Sequence, residues 1–185
     1  MARLLNGKDL LLAQINGGTF ENDIATSCEV IINTNEDVYS IFKRMNVNIE
    51  KIDNTECFDK KDTQDILNQI AQLESGVILE NEATANLGII KTIDNEIKIN
   101  YVFRSMNEEK LQQIYDNTIN LNNGFKVKEI YRDPIWKVDK NSKILEIYRR
   151  LYFKEYGEYP INEINKGTIE CASIKKRIEG LDIIS

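Results

Sequence analysis

Apolar and polar positions change their spacing along this chain often enough to divide it into short elements of two kinds. A helical lead is expected around Ala2–Leu5, and Leu10–Ile15 is an apolar run that stops at Asn16-Gly17-Gly18. Paired glycines suit a tight bend or a bulge, so a strand ending in a turn is expected there. Ala25–Asn33 is a second β-prone run. Val38, Ile41, Phe42 and Met45 then fall at helical spacing, with Thr34 or Asn35 available as the cap. Val47–Ile52 reads as a strand and Asp53–Lys61 as a polar loop. Ile66, Leu67, Ile70 and Leu73 mark the next helix, capped by Asp62 or Thr63 and closed near Gly76.

The clearest unit follows. Val77–Leu79 and Leu87–Ile93 are strand-like, and Asp94-Asn95 is a two-residue turn tolerant of positive φ. Its partner Glu96–Phe103 alternates Ile97, Ile99, Tyr101 and Phe103 against Lys98 and Asn100, so this hairpin buries one face. Ser105 with Glu108 makes a capping box for a helix bearing Leu111, Ile114, Tyr115 and Thr118, stopped by Gly124 before a strand at Phe125–Tyr131. The fold class is therefore α+β: a two-layer sandwich, an antiparallel sheet with helices on one face, ferredoxin-like in order. A ββαβ first half echoes the second as a duplication.

At Asp133-Pro134-Ile135-Trp136 the character changes. Asn141–Tyr156 is an amphipathic helix with Ile144, Tyr148, Leu151 and Tyr152 on one side, ended by Gly157 and Pro160. Ile161–Ile164 reads as a strand, Lys166-Gly167-Thr168 as a turn, Cys171–Ile178 as a short helix stopped by Gly180, and Leu181–Ser185 as a strand on which the sequence is expected to have been cut. Two domains are expected, 1–132 and a partial 133–185, with Trp136 and the helix tyrosines in the core.

Composition narrows the chemistry. With 42% hydrophobic residues the chain can build a real core, and its formal net charge of −6 with scattered basic residues gives no footprint for nucleic acid. No apolar run approaches the roughly 18 residues that cross a bilayer, and no signal layout opens the chain, so no membrane partner and a cytoplasmic address are expected. Cys28, Cys57 and Cys171 read as reduced thiols, Cys28 and Cys171 as core. Histidine is absent altogether. Since histidine is the commonest catalytic-zinc ligand and the usual proton carrier near neutral pH, no catalytic or metal residue is assigned. A carboxylate-only site has little support, because Glu36-Asp37, Asp59 with Asp62, and Glu108-Glu109 all sit at helix starts, where the macrodipole already accounts for them.

Several short segments follow one another in order: Gly17-Gly18-Thr19-Phe20-Glu21-Asn22, Glu82-Ala83-Thr84-Ala85-Asn86-Leu87-Gly88, Arg104-Ser105, Asp133-Pro134-Ile135-Trp136, Thr168-Ile169-Glu170-Cys171-Ala172 and Gly180-Leu181-Asp182-Ile183-Ile184-Ser185. Together they resemble the bacterial Xaa-His dipeptidases, also called cytosol non-specific or aminoacyl-histidine dipeptidases, of the di-zinc aminopeptidase and carnosinase superfamily. That resemblance implies a lid domain followed by the first elements of a returning catalytic half, with the zinc ligands lying outside this chain. Cofactors are accordingly none here and zinc in the complete enzyme. The family's histidine before its Gly-Leu-Glu-Cys segment falls on Lys166, and Glu21 and Ala25 replace a usual arginine and proline, which implies a diverged copy.

By the resemblance, Arg104 and Asn22 are the lid's contacts to substrate. A guanidinium fork suits a peptide's terminal carboxylate, and an amide adds a donor toward developing charge. Arg104 also fits a solvated strand end and Asn22 a turn residue. Glu170 stands near the expected cleft, or is simply a charge at a helix N-terminus. Two functions follow: an inert segment of a dipeptidase awaiting a catalytic-half polypeptide, or a stand-alone module that dimerises or binds a peptide along a sheet edge.

Overall fold

The computed structural model describes residues 1–43, 45–53, 55–79, 82–121, 124–137, 139, 141–161 and 170–184. The element order is α1 (Ala2–Leu5), β1 (Leu10–Gly17), β2 (Cys28–Thr34), α2 (Val38–Ile41), α3 (Lys60–Gln72), β3 (Gly76–Ile78), β4 (Ala83–Ile93), β5 (Glu96–Ser105), α4 (Glu108–Asn120), α5 (Lys143–Tyr156) and α6 (Glu170–Arg177). Among the described residues all strand pairs are antiparallel, in one five-stranded sheet. The β1–β2 hairpin meets the β4–β5 hairpin through Gly17 and Ile90, while β3 pairs with the start of β4. Each hairpin is followed by a helix, so the repeat is ββα twice over. The α+β class and the antiparallel sheet with its helices are as expected.

Strand period explains half of this arrangement and two bulges explain the rest. A strand alternates its side chains, yet Leu12 and Ile15 of β1, three apart, enter the same buried cluster. The pairing slips between Leu12 and Gln14, inserting one extra residue that restores Ile15 to the inner face. A matching slip between Leu87 and Ile89 puts Gly88 out of step in β4 and lets Leu87 and Ile90 share that face. On it α3 supplies Ile66 and Leu67, and Leu67 closes a second cluster with Leu5, Leu10 and Phe42. Gln69 of α3 donates to the Leu121 carbonyl at the end of α4 at 2.7 Å, so the two helices lie side by side.

The β1 bulge also receives the start of α3. The Leu12 amide donates to Thr63 Oγ1 at 3.0 Å and the Leu12 carbonyl accepts from the Phe58 amide at 2.8 Å, with Thr63 wholly buried. Thr63→Val keeps the shape and strands a buried N–H. It should lower unfolding free energy by about 1–3 kcal/mol. Urea denaturation reads this directly, and a change within about 0.5 kcal/mol, the scatter of neutral surface substitutions, would mean that water replaces the hydroxyl.

Several local expectations are corrected. Val47–Ile52 forms no strand, and neither does Phe125–Tyr131: Val47, Ile49 and Phe125 pack on the clusters from irregular backbone. The caps move as well. Asp37, Asp59 and Asn107 accept the first-turn amides of α2, α3 and α4, and Ser105 Oγ instead accepts from the Asn107 amide. Cys28 is exposed. Residues 181–184 are not a strand, though Asp182 Oδ2 accepts from the Ile144 amide at 3.0 Å, tying them to the start of α5. The strand and turn expected over 161–168, including Lys166, fall on or run into 162–169, outside the described residues.

Gly157, at φ +75°, ends α5 in the left-handed conformation, as its sequence position implies. That helix buries no residue: Ile144, Ile147, Tyr148 and Leu151 form an exposed stripe, and Tyr156 is exposed beside it. Its tyrosines are thus not core here, while Trp136 is half-buried with Lys175 over its ring at 5.9 Å.

Candidate functional site

Two features of the sheet bring one loop onto the face opposite α3. The extra residue of the second hairpin lies in β4, so β5 alternates without interruption. Ile97 and Ile99 face the helices, which turns Val102 and Arg104 to the opposite face, beside their cross-strand partners Asn86 and Thr84. The chain leaving β1 folds across this surface. A Cβ on Gly18, at φ +73°, would sit 1.8 Å from the Gly88 carbonyl oxygen, and a Cβ on Gly88 would sit 2.1 Å from the Glu21 carbonyl oxygen. Only two glycines allow so close a crossing of backbones.

Asn86 then fixes the loop. Its Nδ2 donates to the Glu21 carbonyl at 2.9 Å and to the Asp23 carbonyl at 2.9 Å, bracketing Asn22 from both sides. Asn22 therefore has a defined place on an exposed loop. The structure puts Asn22 Oδ1 3.1 Å from Arg104 Nη2, joining residues 82 positions apart. With its oxygen turned to the guanidinium, the Asn22 amide keeps its two N–H donors, and the guanidinium keeps its remaining donors. Both groups carry free donors, the kind of group that an oxyanion requires.

The surroundings add a carboxylate and a phenol. Tyr131 donates its hydroxyl to Glu21 Oε1 at 2.8 Å. That bond holds the Tyr131 phenol above its ordinary range, with burial next and the charges of Glu21 and Asp133 adding to it, while Arg104 works the other way. Among the described residues neither Arg104 nor Glu21 is in an ion pair. Arg104, Asn22, Glu21, Tyr131, Asp133 and Trp136 line part of an open cavity of ≈ 1050 Å³.

Of the residues singled out from sequence, Asn22 and Arg104 are brought together. Glu170 is not with them: it is the first residue of α6, exposed in the opening turn, and does not line that cavity. Sequence reasoning missed Asn86, Glu21 and Tyr131 as members of the site. An asparagine inside a β-rich run, two residues before a glycine, was the available signal, since both types are disfavoured in a strand without a local reason. Among the described residues no three metal-capable side chains converge, and no helix is long and apolar enough to cross a membrane.

Comparison with known proteins places the fold. No family model matches the chain. It is 22% identical, over an aligned length of 206 residues, to the cytosol non-specific dipeptidase of Escherichia coli (strain K12), covering 96% of this chain and 42% of that protein. Its fold matches the crystal structure of the aminoacylhistidine dipeptidase from Vibrio alginolyticus with a TM-score of 0.74 at 21% identity, over 95% of this chain and 42% of that one. The resemblance to Xaa-His and cytosol non-specific dipeptidases thus holds in sequence and in fold. The chain spans less than half the length of each of these proteins.

Proposed function

We propose that this chain is a segment of, or derives from, a dipeptidase of the kind it matches, and that its sheet domain grips a peptide's terminal carboxylate between Arg104 and Asn22. The observation that carries this reading is the 3.1 Å contact between two side chains 82 residues apart, which leaves the Asn22 Nδ2 donors and the remaining guanidinium donors for a ligand. Residues 1–132 act as the cover and residues 133–185 belong to a second unit. Hydrolysis needs an attacking water and a proton carrier. A chain with no histidine leaves those tasks, and the zinc the resemblance implies for the complete enzyme, to polypeptide outside the residues given. The exposed stripe of α5, from Ile144 to Leu151, is where such polypeptide would pack. A cytoplasmic address follows from the same reading.

The test is binding, not turnover. The full chain should bind a dipeptide such as Ala-Leu, monitored by NMR shifts of the Asn22 and Arg104 side chains. Amidation of the peptide carboxylate, or Arg104→Gln, should each weaken it about tenfold or more, the loss expected when a charge-assisted fork is removed. Carnosine-type dipeptides should not be turned over by the chain alone. Chelator-sensitive hydrolysis, or equal binding of acid and amide, would sink the proposal.

A second reading, the self-associating or peptide-binding module, draws on β5. This strand of 10 residues pairs only with β4 among the described residues, leaving its outer edge available. A homodimer seen by light scattering and abolished by a proline in that edge would favour it.

A further inference from the structure

We propose that Glu21 makes this site selective for zwitterionic peptides that carry a cationic side chain next to the carboxylate held by Arg104, an inference that rests on the carboxylate-grip reading above.

The loop that presents Asn22 presents Glu21 with it, and both are placed by the same backbone crossing and the same Asn86 clamp. Arg104 and Glu21 are each half-buried, of opposite sign, and flank Asn22 without pairing to any charged partner among the described residues. Two opposite charges on either side of Asn22, not joined to each other, are complementary to a ligand with the inverse pattern. An anion at Arg104 leaves a cation to meet Glu21. One oxygen of Glu21 is aimed by the Tyr131 hydroxyl at 2.8 Å, and the other remains to accept. Asp133, on the same cavity wall, adds negative charge on that side. A lysine or arginine side chain next to the bound carboxylate would supply that cation. An acidic side chain in that position would be repelled.

The magnitude is set by exposure. A two- to fivefold preference, about 0.4–1 kcal/mol, lies within the range for ion pairs at exposed sites, and salt screens it.

The experiment compares Ala-Lys with Ala-norleucine, which has the same reach without the charge, on the full chain by calorimetry or NMR titration at low salt. Ala-Lys should bind about two- to fivefold tighter, the ratio falling toward one at raised ionic strength. In Glu21→Gln, which still accepts the Tyr131 hydroxyl, the two peptides should bind alike. Equal binding of both peptides to the unaltered chain would overturn the selectivity while leaving the carboxylate grip standing. A lysine preference that survives in Glu21→Gln would overturn the assignment to Glu21. Failure of both peptides to bind would overturn the grip and the selectivity together.

Discussion

Gly88→Ala lifts the loop 18–23 from the sheet and lowers unfolding free energy by about 3 kcal/mol, the upper part of the range for overpacking a fitted contact. The new methyl group would lie 2.1 Å from the Glu21 carbonyl oxygen and 2.5 Å from the Glu21 Cα. Those are main-chain atoms, so no rotamer change relieves the overlap. Either β4 bends or the loop leaves. If the loop leaves, Asn86 loses its two acceptors and Asn22 loses its place beside Arg104, so dipeptide binding falls with stability. Equilibrium denaturation gives the first quantity and titration with Ala-Leu the second. An alanine tolerated within about 0.5 kcal/mol would show that the backbones do not cross where the structure puts them.

Leu67→Ala is expected to cost about 3–4 kcal/mol, because a fully buried leucine leaves a cavity whose surroundings collapse only in part. Leu67 is 0% exposed, and around it lie Leu5 of α1, Leu10 of β1 and Phe42 at the end of α2. With α3 these elements come from four places in the chain, and α1 is held against α3 also by Arg3, whose Nε donates to the Ala71 carbonyl at 3.0 Å. The helices cannot close the gap without breaking that bond or shifting the Leu12–Thr63 contact. Thermal melting should fall by about 8 °C for a chain of this size. Ile24→Ala is the control: at 84% exposure Ile24 should change stability by less than about 0.5 kcal/mol.

Alternation and helical spacing made most of the elements legible. The β4–β5 hairpin is the clearest instance, since Asp94 and Asn95 both take positive φ, 50° and 59°, as a two-residue turn between such strands requires. Caps were less legible for a local reason. Wherever a helix begins, several acceptors stand in a row, such as Asp59, Asp62 and Thr63, and only the entry angle of the chain decides which one meets an amide. Here Thr63 was drawn inward to Leu12 instead. The missing strands at Val47–Ile52 and Phe125–Tyr131 show a different limit: apolar residues specify burial, whereas a strand also needs an unoccupied edge to pair with.

Asn22 and Arg104 were singled out through the family resemblance, and their contact came only with the three-dimensional pairing of Thr84 with Arg104 and of Asn86 with the loop. Glu21 and Tyr131 lay 110 positions apart with no motif to link them. A hydrogen bond closed over that distance is invisible to any periodicity.

The unpaired residue in each hairpin bears on how this chain tolerates length change. Loss of Ala13 would let Leu10, Leu12 and Ile15 alternate in strict register, and loss of Gly88 would do the same for Ala85, Leu87 and Ile90. Either deletion would therefore be silent to the inside-outside pattern by which such strands are recognised. Loss of Gly88 would nonetheless remove the seat of the crossing loop, so a homologue one residue shorter there could keep the sheet and have nothing with which to hold a peptide.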